Sequence, residues 1–154
     1  MTTLVGTQDN FVDALYQLCE LDYDAVEAYQ AAINRLDRED YKGKLNEFKA
    51  DHERHIREIR SLLSKHQADA PDSPSAKHLV TQGKVVLANL FGDDAILKAM
   101  LSNEVDTNTA YERLNTRADE WDDAKEILMQ GLSDERRHKA WIENTLSSSQ
   151  RKAA

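Results

Sequence analysis

A single cysteine, Cys19, stands in this chain of 154 residues, so no disulfide within it can staple the fold. Its place among apolar neighbours marks it as a small buried core residue rather than a reactive thiol. Prolines number two and glycines five, which removes the breakers of a turn-rich β fold and leaves helices free to run long. Aromatics make up 6% of the chain. No apolar run approaches the roughly 18 residues of a membrane span. The N-terminal MTTLVGTQDNF has no basic stretch ahead of an apolar one, so neither a signal peptide nor a transmembrane helix is expected, and a cytoplasmic setting is. Basic excess is missing as well. The net charge of −8 argues against a nucleic-acid partner and against binding to an anionic membrane surface.

The strongest positive signal is apolar periodicity. Phe11, Leu15, Leu18, Asp22, Ala25, Tyr29, Ala32 and Leu36 step by alternating fours and threes, with Val12, Cys19, Val26 and Ile33 widening the seam. Tyr41, Leu45, Phe48, His52, His55, Ile59, Leu62 and His66 repeat the rhythm. So do Leu97, Met100, Glu104, Thr107, Tyr111, Leu114 and Ala118, and then Ala124, Leu128, Gly131, Glu135, His138, Ile142 and Thr145. The spacing predicts helices over about 8–37, 39–66, 93–118 and 121–147, in one domain over 1–154. Tight joints make two antiparallel hairpins. Asp93 and Asp94 after Gly92 suggest the N-terminal cap and first-turn charge of the third helix. Residues 67–92 open with a Pro71/Pro74 loop and continue amphipathically; they are expected to cross over the length of the bundle and to carry a short extra helix. The expected fold is all-α, an antiparallel four-helix bundle with one long crossover.

The seams hold residues that seams should exclude: Asp22, His52, His55, Glu104, Glu135 and His138. An unpaired buried charge costs several kcal/mol, so such groups are normally neutralised by each other or by a metal. Their heights agree. At about 1.5 Å per residue, Asp22, His52 and His55 all lie roughly 21–26 Å from the first hairpin turn. Glu104, Glu135 and His138 share a level from the second turn in the same way. Asp22 precedes Tyr29 by seven residues, as Glu104 precedes Tyr111. Sliding the chain by 82 superposes these pairs, and sliding by 83 places His52/His55 on Glu135/His138, a weak hairpin duplication. Asp51 and Glu53 flank His52 at about 100° on the helix and are expected to face solvent. So is His78 in the crossover. His66 is expected near the C-terminal end of its helix, beside the dipole.

This order of elements resembles the ferritin-like superfamily of carboxylate di-metal bundles, the rubrerythrin-like branch above all. That pattern has a carboxylate on helix 1, Glu-x-x-His on helix 2, a carboxylate on helix 3 and Glu-x-x-His on helix 4. Glu135-Arg136-Arg137-His138 matches one Glu-x-x-His, Glu104 matches the helix 3 acid, and Asp22 matches helix 1 with a shorter acid. Over about 8–147 the chain looks most like small bacterial ferritin-like domains of the DUF2383 type. The resemblance implies a metal site made by Asp22, His52, His55, Glu104, Glu135 and His138, with Tyr29 and Tyr111 bonding to ligand carboxylates from behind. It implies one or two transition-metal ions, iron first and manganese or zinc as alternatives. With iron or manganese it implies oxidase- or peroxidase-type stress chemistry on dioxygen or peroxide. A homodimer is a further expectation. The alternative is a non-enzymatic helical interaction module with a metal-free polar core.

His52 departs from the pattern, since it stands where the family has a bridging glutamate. A carboxylate bridges two cations readily, whereas a neutral imidazole offers one lone pair. Three carboxylates and three imidazoles around two divalent ions leave a charge of +1, where four carboxylates leave zero. The expectation is therefore one tightly bound ion, or an asymmetric pair bridged by Glu135 and solvent.

Overall fold

The computed structural model describes residues 3–74, 87 and 90–154. Four long helices make up most of it: α1 (Phe11–Ile33), α2 (Glu39–Lys65), α3 (Asp93–Asn115) and α4 (Lys125–Ala153), with no strand among the described residues. The crossover helix expected within 67–92, and His78 with it, lies outside the described residues.

Helix ends follow local hydrogen bonding rather than the apolar seam. The Asn10 side chain accepts the Val12 N–H at 2.8 Å and so starts α1 three residues later than the seam suggests. Asn34 closes the other end, its N–H turned back on the Gln30 and Ala32 carbonyls. Asp93 does not cap its own helix. Gly92 is the N-cap, at a φ of 88° that favours glycine, and the Asp93 carboxylate instead accepts the backbone N–H groups of Asp37 (2.7 Å) and Arg38 (3.1 Å) in the α1–α2 turn. Two 3-10 turns, Ala118–Glu120 and Asp122–Ala124, delay the start of α4. Between them Trp121 packs edge-on against Phe11 and lies flat on the His66 ring, 3.6 Å between centroids. His66 also bonds Asp123 at 2.9 Å, which fixes the end of α2 to the start of α4.

These end contacts settle the directions. Arg113, late in α3, and Arg117, just beyond its end, donate to backbone carbonyls of Thr3 and Gln8 just before α1. Asp93, at the start of α3, binds the turn that follows α1. Hence α1 and α3 lie side by side and antiparallel. His66 and Asp123 make α2 and α4 antiparallel likewise. It follows that α2 and α3 run the same way, so α2 finishes at one end of the bundle and α3 begins at the other.

The core divides into two apolar clusters. One holds Leu15, Leu18, Cys19, Ile59, Leu62, Tyr111, Leu114 and Leu128; the other holds Tyr29, Leu45, Phe48, Leu97, Met100 and Ile142. Cys19 is fully buried, and burial pushes its thiol up to about 12. No helix among the described residues is long and apolar enough to cross a membrane.

Candidate metal centre

Between the two apolar clusters lies a polar layer. Asp22, His52, His55, Glu104, Glu135 and His138 are each at most 1% exposed and are gathered there from all four helices. Two groups of possible ligand atoms form, each within 4.8 Å of one another: Asp22, His52, His55 and Glu135 in one, His52, Glu104, Glu135 and His138 in the other. His52 and Glu135 belong to both.

The first group is the tighter. His52 Nδ1 lies 2.8 Å from Asp22 Oδ1 and 3.5 Å from Glu135 Oε1; His55 Nδ1 lies 3.3 Å and 3.5 Å from the same two atoms. A tetrahedral ion with bonds of about 2.0–2.1 Å needs ligand edges of about 3.3–3.4 Å. In the second group, Glu104 Oε1 is 3.8 Å from His52 Nε2, and Glu104 Oε2 is 3.7 Å from His138 Nδ1.

Each outer carboxylate is held from behind by a tyrosine of the other hairpin. Tyr111 Oη donates to Asp22 Oδ2 at 2.7 Å, and Tyr29 Oη donates to Glu104 Oε1. Burial first, then these carboxylates, push both phenols well above their ordinary range, so they stay protonated donors. Gly131 makes the Tyr111 placement possible: a Cβ there would sit 2.3 Å from Tyr111 Cε1.

The histidines are oriented by a second crossed pair. His55 Nε2–H donates to Asp134 Oδ2 at 3.0 Å, from α2 to α4, and His138 Nε2–H donates to Asp51 Oδ2 at 2.9 Å, from α4 to α2. Both rings thereby turn Nδ1 inward. The two aspartates are tied by a closed ring of ion pairs: Arg54 to Asp51 (3.2 Å) and Asp134 (2.5 Å), Arg137 to Asp51 (2.6 Å) and Asp134 (3.0 Å). Burial opposes their ionisation, but the His138 and Arg137 contacts hold Asp51 well below the usual carboxylate range, and those of His55, Arg54 and Arg137 do the same for Asp134. A carboxylate behind each imidazole is the arrangement that fixes the tautomer and raises the basicity of a metal-binding histidine.

Burial disfavours charge on every group of the layer, so the shifts show which contacts prevail. Against burial, bonds from His52 and His55 bring Asp22 down to about 2. Against burial, Glu135, Asp22 and Glu104 hold His52 well above its ordinary value, and Asp134 and Asp22 lift His55 to about 9. Glu104 is lowered, its burial outweighed by His52. Glu135 goes the other way, to about 8, because burial and the nearby Glu104 and Asp22 outweigh the attraction of His52 and His55. Burial and the His52 charge lower His138 despite Asp51. The directions favour ionised Asp22 and Glu104 beside protonated His52 and His55, and push Glu135 and His138 towards their neutral forms. Within this layer, five buried atoms still find no hydrogen-bond partner: His52 Nε2, Glu104 Oε2, both Glu135 oxygens and His138 Nδ1.

Several participants were not legible as site residues from the seam. Asp51, expected in solvent, is only 21% exposed and bound to His138. Asp134, Arg54, Arg137 and Asn108 were missed; Asn108 Nδ2 clamps α3 to α4 by donating to the Glu104 and Glu135 carbonyls at 2.8 Å and 3.0 Å. The missed signal was a repeat: Asp-x-x-Arg-His occurs at Asp51–His55 and again at Asp134–His138.

Comparison with curated proteins and with solved structures finds no match. A family model described as "Domain of unknown function (DUF2383)" matches residues 10–117, which take in Asp22, His52, His55 and Glu104 and stop short of Glu135 and His138. By that match the chain belongs to the DUF2383 family.

Proposed function

We propose that this chain is a ferritin-like metal-binding protein, with Asp22, His52, His55, Glu104, Glu135 and His138 as its ligands. The observation that carries the reading is the convergence of five unpartnered buried ligand atoms. A buried polar atom without a partner costs about 1–3 kcal/mol, and several facing one another are explained by a cation that would satisfy them together. The parallel run of α2 and α3, which puts the end of α2 and the start of α3 at opposite ends of the bundle, supports the ferritin-like connectivity.

The residues divide the work. Asp22 and Glu104 bring one charge each and are aimed by Tyr111 and Tyr29. His55 and His138 present Nδ1, held by Asp134 and Asp51. Glu135 offers an oxygen to each group. Protons must leave His52, His55 and Glu135 before they can ligate, so metal uptake releases protons and strengthens as pH rises. The apolar clusters on both sides keep water out and strengthen every charge interaction between them. Bound here, iron or manganese would supply redox chemistry toward dioxygen or peroxide, and zinc would supply a Lewis acid. The imidazole share of the ligand set favours the later divalent ions, zinc among them, over a hard all-oxygen site. A cytoplasmic setting belongs to the same reading.

A second reading, a metal-free polar core in an interaction module, is favoured by the pairing of Asp22 with both His52 and His55. Elemental analysis decides. Protein purified and then loaded anaerobically with Fe(II), Mn(II) or Zn(II) is expected to retain one or two equivalents after desalting, and Glu135→Gln to lose most of it. Retention of none by the folded wild-type protein establishes the metal-free core.

A further inference from the structure

The two ligand groups meet at opposite ends of one ring. His52 Nδ1 faces Asp22 and Glu135, at 2.8 Å and 3.5 Å. His52 Nε2 faces the other group, 3.8 Å from Glu104 Oε1, and has no hydrogen-bond partner although the side chain is completely buried. An ordinary buried histidine satisfies both nitrogens, as His55 does with Asp22 and Asp134. His52 instead aims one nitrogen at each cluster of acids.

We propose, resting on the metal-binding reading above, that His52 is the bridging ligand. As an imidazolate it would join one divalent cation, held by Asp22 and His55, to a second held by Glu104 and His138. Each nitrogen of the fully deprotonated ring has one in-plane lone pair, so the ring can bind two cations where the neutral ring binds one. The balance is simple. A doubly protonated ring releases two protons to solvent on becoming the bridge, one from each nitrogen, as the two ions bind, and no electron moves.

Charge supports the bridge independently. Three carboxylates against two divalent ions leave the centre at +1 when all three histidines are neutral. An imidazolate supplies the fourth negative charge and brings the sum to zero. Burial this complete favours that neutral sum. Glu135, with both oxygens unpartnered and a place in each group, can contribute to either ion.

The bridge fixes a distance. Two metal–nitrogen bonds of about 2.0–2.1 Å along the diverging lone pairs of one ring put the ions about 6 Å apart. A carboxylate-bridged pair sits about 3.5–4 Å apart. The cations that suit such a ring are the later divalent ones: Zn(II), Co(II) and Cu(II).

The test is anomalous diffraction from crystals of the full chain loaded with Zn(II) or Co(II), with electron paramagnetic resonance of the Cu(II)-loaded protein in solution. The expected result is two ions about 6 Å apart, at the two ends of the His52 ring. The isolated-copper signal should fade as the second equivalent binds, because the ring couples the two spins. His52→Glu should bring the pair to about 3.5–4 Å, and His52→Gln should bind no coupled pair. The bridge is overturned by a single ion on Nδ1, by a wild-type pair at the carboxylate spacing, or by two coppers that remain uncoupled. If no metal binds, the reading of the preceding section fails and takes the bridge with it; a single or closely spaced site refutes the bridge alone.

Discussion

Sliding α1–α2 onto α3–α4 pairs Asp22 with Glu104, Tyr29 with Tyr111, His55 with His138, Asp51 with Asp134 and Arg54 with Arg137. In every one of these pairs the two members make corresponding contacts across the bundle: tyrosine to the other half's acid, aspartate to the other half's histidine, arginine to both aspartates. Other pairs break the correspondence, three of them close to the centre. His52 faces Glu135, Phe48 faces Gly131, and Val26 faces Asn108. The conserved pairs form the periphery of the centre, and the broken ones lie at its middle or in the packing around it. The peripheral frame can therefore stay two-fold while the middle is made unequal, which gives the Asp22 group shorter ligand edges than the Glu104 group.

Making the halves equal at the middle should have the largest effect. His52→Glu removes the imidazolium that pairs with Asp22 and adds a fourth buried carboxylate. Breaking a buried pair costs about 3–5 kcal/mol, so urea unfolding of the metal-free variant should show a loss of that size. Added Mn(II) or Zn(II) should restore stability in proportion to its concentration, since it binds only the folded form. An unchanged midpoint in the presence of chelator would mean that Asp22 and His52 are not coupled.

Phe48 and Gly131 test the packing half of the comparison. Phe48 lies on the His138 ring, 4.3 Å between centroids, and truncation to Ala should cost about 3–5 kcal/mol. The matching position tolerates nothing larger than glycine, because Tyr111 occupies the space. Gly131→Ala should cost about 1–3 kcal/mol by overpacking, and should displace Tyr111 from Asp22. Denaturant titration measures both. Ultraviolet difference spectra of the tyrosines report the displacement, and an undisturbed Tyr111 signal with full stability would refute the steric account.

Proton binding separates the two central histidine-bearing halves. His55 is raised to about 9, whereas its counterpart His138 is lowered. A raised histidine contributes stability that is fully present below its unfolded pKa of about 6.5 and is lost as pH rises through about 9. Glu135, raised to about 8, acts with the same sign: its contribution is full below about 4.5 and lost by pH 8. Below about pH 6.5 the lowered His138 acts with the opposite sign and offsets Glu135, so metal-free protein should weaken mainly from about pH 6.5 to pH 9, while stabilisation by added metal grows over the same interval. Urea titrations at three pH values, with chelator and with Zn(II), show whether the two trends cross. Parallel trends would remove the proton–metal competition that the proposed function requires.

The frame was readable in the sequence because burial leaves a periodic trace. A helix seam records which residues face inward, so Asp22, His52, His55, Glu104, Glu135 and His138 stood out by being polar where Leu or Ile belongs, and counting residues from the turns gave their heights. Partners one position off the seam left no such trace. Asp51 and Asp134 reach their histidines across the α2–α4 boundary, and a helical wheel drawn for one helix cannot show what the neighbouring helix presents. Helix ends were misjudged for a related reason. Asn10 and Trp121 set those at the starts of α1 and α4 through a single hydrogen bond and one stacked ring, which periodicity does not register. The direction of each His52 nitrogen was equally hidden, since a sequence names a ring but not its rotamer.

The smallest expected effect lies in the third broken pair. Asn108 is 7% exposed and donates both its amide hydrogens to backbone carbonyls, those of Glu104 in its own helix and Glu135 in α4. Seven residues on, Asn115 repeats the clamp on the Tyr111 and Leu128 carbonyls. The first hairpin has the apolar Val26 and Ile33 at these places. Asn108→Val copies the first hairpin onto the second. Both carbonyls also belong to helical segments, so the net loss should be that of ordinary hydrogen bonds, about 0.5–1.5 kcal/mol. The sharper consequence concerns Glu135, whose own carbonyl is the clamped one. Loosening it should widen both ligand groups at once and weaken metal retention more than stability. Equilibrium dialysis against Zn(II), set beside the urea midpoint, separates the two. Equal losses in both would make Asn108 a packing residue, and a selective loss of metal would make it a positioning residue for the one carboxylate that both groups share.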